Sequence, residues 1–565
     1  MSHPMTTFER RQTILRLLQE QTSVHVTELA QLLDVSEGTI RNDLTALEES
    51  RLVVRVRGGA VLRDDQPALA ALTMRASVNY DAKRRIARWA ADMVEDGDAI
   101  ALDASTTVLN IASFLQDRRR LTIVTNGLEV ARALAQNPTH TVILIGGVLR
   151  PEGDALTGLL GEPMLKDLYI QTAFVSCVGF SLESGLTESD FQQAQTKAAL
   201  IRAASRVVAL VDSSKFGKRG LTPFAAVGQI AHIVTDDAVP PAMVEQLRRL
   251  NVGLTLCGED AVDSYTPRDT DHRHYRIGFA NLSEDIVFAV DVRRGLERAA
   301  QEASNIDLVL ADNQLSGETA LNVADSLIAR GVELVIEYQI DEKVGNPIMN
   351  KFQKAGIPVI AVDIPMVGAT YFGVDNYRAG HMAGVALGRW IQDNWDGRID
   401  RVIVLEEPRS GMLTAARIQG QIDGLREIIG DGVTDQAIYL DSGNTSQVSE
   451  MQMLGALESL PNLRRIAVIS FNDDAAMGAL AAARRTNRLR DVVIVGQGAD
   501  RRVREELRKP GSRIIGSTAF NPDQYGEGLV ALALKILRGE PVPPAVYVEH
   551  VFINPENIHL YYPDH

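Results

Sequence analysis

Residues whose types and spacing could do chemistry fall into clusters, and the first lies near the amino terminus. Between Val35 and Leu47, Ile40, Leu44 and Leu47 recur at i, i+4 and i+7, so a helix here turns them inward and turns Glu37, Gly38, Arg41, Asn42 and Thr45 outward. Ser36 stands where its hydroxyl would cap that helix. Arg41 offers a two-pronged grip on a guanine or a phosphate, and Asn42 matches an adenine edge.

A basic hairpin follows, Arg51 to Val61, with Gly58 and Gly59 at its tip supplying the positive φ angles of a tight turn and Arg55 and Arg57 placed for phosphates. Upstream, a helix from about Phe8 to Glu20 and a second carrying Leu29, Leu32 and Leu33 complete a small core. These features predict a winged helix-turn-helix over residues 1–63 that reads double-stranded DNA through Ser36, Glu37, Thr39, Arg41, Asn42, Arg55 and Arg57.

The next cluster sits at strand ends. Short β-rich runs (99–102, 121–124, 141–145, 173–175, 207–211 and 230–234) alternate with helical patterns, which predicts a doubly wound parallel sheet over 73–258. In such sheets ligands bind beyond the carboxyl ends of the strands. There the chain carries Asp103, Ser105, Thr106 and Thr107 opening a helix toward Leu115, then Thr125 and Asn126, Gly146 and Gly147, and finally Lys215. Asp190, Gln193 and Lys197 lie at helical spacing nearby. Hydroxyls, close backbone approach and a cation suit a phosphorylated polyol, with Lys215 the leading phosphate partner.

Residues 8–258 resemble a DeoR-type transcriptional regulator. The resemblance rests on 39–44 (Thr-Ile-Arg-Asn-Asp-Leu), 57–60 (Arg-Gly-Gly-Ala), Lys83 with Ile86 and Ala87, 103–107, Thr125 and Asn126, Gly146 and Gly147, and 212–216 (Asp-Ser-Ser-Lys-Phe). It implies an effector domain similar to ribose-phosphate isomerases that senses sugar phosphates. Asn42 stands where the family usually has a second arginine, Arg57 where a histidine is common, and Gln193 where a glutamate is usual.

After a polar stretch at 259–274, read as a structureless linker like the one at 64–72, the alternation restarts: 276–279, 307–310, 334–336, 359–362, 401–405, 467–470, 492–495 and 514–517. Residues 275–560 resemble the ribose-type periplasmic-binding fold that LacI-type repressors carry as an effector domain. That resemblance implies two lobes closing on a sugar held by Asp285, Phe288, Asp363, Arg417, Asn472 and Gln524. Carboxylates and amides pair with hydroxyls, the guanidinium donates from a planar fork, and aromatic rings cover the apolar sugar face. Ile364 replaces an arginine of ribose binders and Gly498 an aspartate, so the expected ligand is not ribose.

The 565 residues exceed one core, and 45% are hydrophobic. Net charge is −15, yet residues 1–63 balance eight arginines against eight acids. A neutral reading head binds DNA weakly alone, which predicts a homo-oligomer, dimer or tetramer. Two cysteines give neither a disulfide framework nor a metal site, and His272 with His274 lacks a third ligand. With no apolar leader and no run of about 18 apolar residues, the expectation is a cytoplasmic protein without membrane contact. The fold class is thus α/β behind a winged helix, and the expected function is a non-enzymatic regulator, by default a repressor, of a carbohydrate or polyol operon, with no cofactor and no metal. The alternative is a sugar-phosphate isomerase with a DNA-binding appendage. It needs an acid–base pair within 73–258, and the sequence places no glutamate beside Lys197.

Overall fold

The computed structural model describes residues 10–11, 13–14, 17–18, 23–33, 35–49, 53–56, 58–62, 75–76, 78–150, 154–166, 168–267 and 273–563. They divide into two compact units, Met1–Gly258 and Glu259–His565. Arg57, His272 and the 64–72 stretch lie outside the described residues.

The first unit opens with helices Val26–Leu32 and Glu37–Glu49 and strands Ser23–His25, Val53–Val56 and Gly59–Leu62. The third strand lies between the other two, antiparallel to both. Ile14, Leu18, Leu29, Ile40, Leu44 and Leu47 are buried together. Of the two wing glycines only Gly58 takes a positive φ, +83°. Gly59 serves differently: a Cβ there would lie 1.9 Å from the Val24 carbonyl oxygen, so the first strand can approach only a glycine.

Seven parallel strands follow in the spatial order Gly253–Cys257, His232–Asp236, Ala204–Leu210, Ile170–Val175, Ala99–Leu102, Thr122–Thr125 and Thr141–Leu144. An antiparallel sheet of Gly179–Ser181, Gly185–Glu188 and Thr222–Ala225 is added to them. The helix expected to run from Ser105 toward Leu115 is instead two four-residue pieces, Thr106–Leu109 and Ile111–Phe114. At the break, the Asn110 amide folds back to donate to the Thr106 carbonyl at 3.0 Å. Four residues sum too few peptide dipoles to act as a strong anion site.

The second unit has two lobes. In one, Ala545–Tyr547, Thr370–Gly373, Val359–Val362, Leu334–Glu337, Tyr275–Asn281 and Ile306–Asp312 run parallel. Ala261–Tyr265 then pairs antiparallel with Ile306–Asp312, which corrects the reading of 259–274 as structureless. Its misleading residue is Asp263, which is buried and accepts from Arg276 and, at 2.6 Å, from Arg330. The other lobe orders Ile438–Asp441, Arg401–Glu406, Ile466–Ser470, Val492–Gly498 and Ile514–Ala519 in parallel, with Val551–Ile553 antiparallel at the edge. Three crossings join the lobes, at 374–375, 520–524 and 548–550.

Candidate functional sites

On the winged helix, Ser36 caps the helix Glu37–Glu49, its hydroxyl oxygen accepting the Thr39 N–H at 3.1 Å and lying 2.8 Å from the Thr39 hydroxyl. Glu37, Arg41 and Asn42 are exposed along one face. Arg41 pairs with Glu37 one turn earlier at 2.7 Å, an exposed contact that a base or phosphate can displace at little cost. Arg55 does not stand free: its guanidinium donates to the Arg41 carbonyl at 3.3 Å and the Thr45 hydroxyl at 3.2 Å, fixing the wing to the helix. Asp43, which sequence reasoning passed over, is buried and draws Arg10 and Arg11 to it at 2.5 and 2.9 Å.

In the parallel sheet of the first unit, Asp103 is a hub. Its carboxylate accepts the N–H groups of Ser105 and Ser176, both at 2.8 Å, and lies 2.8 Å from the Lys197 ammonium. Lys197 is buried, and it also donates to Glu188 at 2.6 Å and to the Ser176 carbonyl at 2.7 Å. Burial alone would depress its pKa, but Asp103 and Glu188 outweigh burial and raise it. A glutamate therefore does stand beside Lys197, contrary to the sequence expectation. It comes from the strand Gly185–Glu188, nine positions earlier, not from the lysine's own helix.

With its three donors used internally, Lys197 has none left for a phosphate. Lys215 and Lys83 remain. Lys215 is half-buried, donates to the Ser176 hydroxyl at 2.9 Å and sits 3.3 Å from Asp212. Lys83 donates to the Arg75 carbonyl at 2.5 Å and the Thr106 hydroxyl at 3.4 Å. Its pKa falls to about 8, through burial first and the nearby Lys215 charge second.

Ser105 caps the Thr106–Leu109 turn and Asp190 caps the helix Phe191–Arg202, each accepting a backbone N–H. Thr125 accepts the Gly127 N–H at 3.0 Å, and Asn126 donates to the Leu156 carbonyl at 3.1 Å. Gly147 is pressed against the Thr157 backbone, where a Cβ would come within 2.5 Å, whereas Gly146 faces open space. The structure thus joins Asp103, Lys197 and Lys215 around Ser176, with Ser105 attached through Asp103 and Thr106 meeting Lys83 instead. Thr125, Asn126 and Gly147 gather instead about residues 155–157. The Thr107 hydroxyl is buried, with no partner among the described residues.

In the second unit a cavity between the lobes is lined by four of the six expected residues: Phe288, Asp363, Arg417 and Asn472. Asp363 follows the strand Val359–Val362 in a left-handed backbone conformation, φ +57°, which a non-glycine residue holds only under constraint. The Tyr525 hydroxyl donates to its Oδ1 at 3.1 Å. Burial, outweighing the Arg417 charge and the tyrosine hydrogen bonds, pushes the Asp363 carboxyl up to about 6. Arg417 donates to Asn376 and to the Phe471 carbonyl, both at 3.0 Å, and its guanidinium lies between the Phe471 and Phe520 rings at 4.7 and 5.0 Å. Asn472 caps the helix Asp473–Arg485 through the Ala475 N–H and donates to Asn444 at 2.7 Å.

Asp285 and Gln524 are exposed and outside this lining. Ile286 and Phe288 take the inward positions of the first loop. In the second, Tyr525 points to Asp363 while Gln524 ends a 3-10 turn on the surface. Asp473, beside Asn472, joins the wall, and residues that sequence reasoning missed complete it: Tyr338, Thr414, Gln497, Asp500 and Phe520. The buried Asp473 accepts the Ser517 hydroxyl at 2.7 Å and the Asp500 N–H at 2.6 Å, and burial with the Asp500 charge pushes its carboxyl pKa well up. The lobes are bridged by Arg409 donating to the Leu315 carbonyl at 3.2 Å and by Arg501 with Asp291 at 3.2 Å.

No helix among the described residues is long and apolar enough to cross a membrane. Residues 10–66 match a DeoR-like helix-turn-helix domain, 78–237 a DeoR C terminal sensor domain and 277–541 a periplasmic binding protein domain. The chain is similar to the HTH-type transcriptional regulator GolR of Listeria innocua, 36% identical over 244 residues that cover 43% of this chain and 96% of that one. It is also similar to the glycerol-3-phosphate regulon repressor of Escherichia coli, 30% identical over 252 residues, 44% of this chain and 98% of the relative. A solved structure of a periplasmic solute binding protein from Actinobacillus succinogenes with bound D-allose covers 51% of this chain and 100% of its own, at 21% identity and a TM-score of 0.45.

Proposed function

From the premise that the chain belongs to the DeoR family of DNA-binding transcriptional regulators, we propose that it represses genes of carbohydrate or polyol utilisation and is released from its operator by effectors bound in its α/β units. A relative named the glycerol-3-phosphate regulon repressor and another named the HTH-type transcriptional repressor GlcR support the assignment. The observation that carries it is the cavity of the second unit. There one buried guanidinium, a buried carboxylate, amides and stacked rings converge between lobes that can part and close.

A phosphorylated effector would be met in the first unit by Lys215 and Lys83, flanked by the hydroxyls of Ser176, Ser105 and Thr106. The protein acts in the cytoplasm as a homo-oligomer, since a head with no net charge needs several half-sites for tight binding. Lys197 and Glu188 are the acid–base pair that an isomerase would need, but they are paired with each other, and Lys197 with Asp103 as well.

Purified full-length protein titrated onto its own upstream region and onto random DNA, at low salt, tests the reading. We expect preference for the upstream fragment, weakened by at least one free sugar, polyol or sugar phosphate. Equal binding to both fragments, unaffected by any such compound, would overturn it.

A further inference from the structure

Two polar side chains in the wall of the second unit's cavity each leave a buried oxygen without a partner among the described residues. Thr414, in the first turn of the helix Met412–Ile429, is 1% exposed, and its hydroxyl has no partner among the described residues. Gln497, next to last in the strand Val492–Gly498, is also 1% exposed. Its amide nitrogen makes one long contact, 3.4 Å, to the Ala379 carbonyl, and its carbonyl oxygen has no partner. Both line the cavity.

Buried groups of this kind are paired in folded proteins because an unmet donor or acceptor forfeits its bonds to water. Neighbours in the same wall obey that rule: Asp363, Asn472 and Asp473 all have partners. An apolar pair of similar size at 414 and 497 would pack without the penalty.

We propose that Thr414 and Gln497 are specificity-determining residues of this site, held unpaired until an uncharged polyhydroxylated ligand meets them. The Gln497 carbonyl accepts from one ligand hydroxyl, and the Thr414 hydroxyl exchanges a hydrogen bond with a second. Arg417, with Nε and Nη1 engaged by Asn376 and Phe471, turns Nη2 to a third oxygen. This rests on the reading of the cavity as a carbohydrate site, and it places discrimination in residues beyond the family set, two of whose members, Asp285 and Gln524, the structure leaves outside.

The test uses the full chain and the variants Thr414→Val, Gln497→Met and Thr414→Ser. Without ligand, Thr414→Val and Gln497→Met are expected to melt at or above the wild-type temperature. A lower melting temperature in both would show that the groups are satisfied structurally and would overturn the assignment. The wild type is then screened by thermal shift with D-ribose, D-fructose, D-galactose, D-glucitol and myo-inositol, and the compound with the largest shift is titrated calorimetrically. Thr414→Val and Gln497→Met should each weaken its Kd about tenfold or more, with Thr414→Ser within about threefold of wild type. Unchanged affinity in both apolar variants sinks this inference alone. Absence of a shift with all five compounds sinks the carbohydrate reading beneath it.

Discussion

His550 accepts the backbone N–H of Asp375 through Nε2 at 3.0 Å, so the third crossing between the lobes is fastened to the first. Its ring also meets Phe520, at the start of the second crossing, edge-on at 5.7 Å. Since Phe520 lines the cavity and lies under Arg417, the imidazole is one contact away from any occupant.

Replacing His550 by Ala should loosen the hinge and weaken effector binding severalfold. His550→Gln, which retains an acceptor, should restore most of the affinity in a calorimetric titration. Acid should act at the same point. Burial lowers the His550 pKa to about 4 from 6.5, so the unfolded chain binds its proton first. The stability contributed by the neutral ring is complete above pH 6.5 and is lost as pH falls toward 4. Melting temperatures of His550→Gln should therefore fall less steeply than wild type across that window.

Arg41→Ala should cost about 1–3 kcal/mol of operator affinity while leaving binding to random DNA nearly unchanged. Arg55→Ala should weaken both classes of DNA together, because its contacts to the Arg41 carbonyl and Thr45 set the wing's position. Fluorescence anisotropy on the two DNAs separates these outcomes, and equal losses on both for Arg41→Ala would contradict a base-reading role.

Lys197→Met should destabilise the first unit by about 3–5 kcal/mol, since it leaves Asp103 and Glu188 buried without their cation. Lys215→Met should leave the urea midpoint close to wild type and abolish any stabilisation by sugar phosphates. The reverse pattern would exchange the roles assigned to the two lysines.

Glu337 is buried with Asn313 as its partner at 2.9 Å, and burial raises its pKa to about 8 from 4.5. The folded chain thus holds this proton more tightly than the unfolded one. The associated stability is complete below pH 4.5 and disappears as pH rises to 8. Glu337→Gln should flatten the decline in melting temperature between pH 5 and 8, with a gain on the order of 2 kcal/mol at pH 8.

The inward set Ile40, Leu44 and Leu47 and the cap at Ser36 were legible because helical period and capping act within a few residues. Strands such as Ala99–Leu102 and Val359–Val362 were legible for the same reason. Asp263 read as loop because its arginine partners arrive from 13 and 67 positions away. Glu188 was invisible beside Lys197 because a sheet, not a helix turn, brings it there. Gln497 carried a legible signal: it is next to last in the strand Val492–Gly498, in a fold where ligands lie past strand ends, beside a Gly498 that stands where ribose binders have an aspartate. Whether Gln524 or Tyr525 faces inward depends on the phase of a 3-10 turn, which composition does not encode.

The bridges Arg409 to the Leu315 carbonyl and Arg501 to Asp291 also set a clock. For an effector seated between the lobes as proposed, the expected route out requires Arg409 to part from the Leu315 carbonyl and Arg501 from Asp291, so its dwell time should track how often these contacts open. A promoter governed this way responds to depletion with a lag, and severing either contact would shorten it.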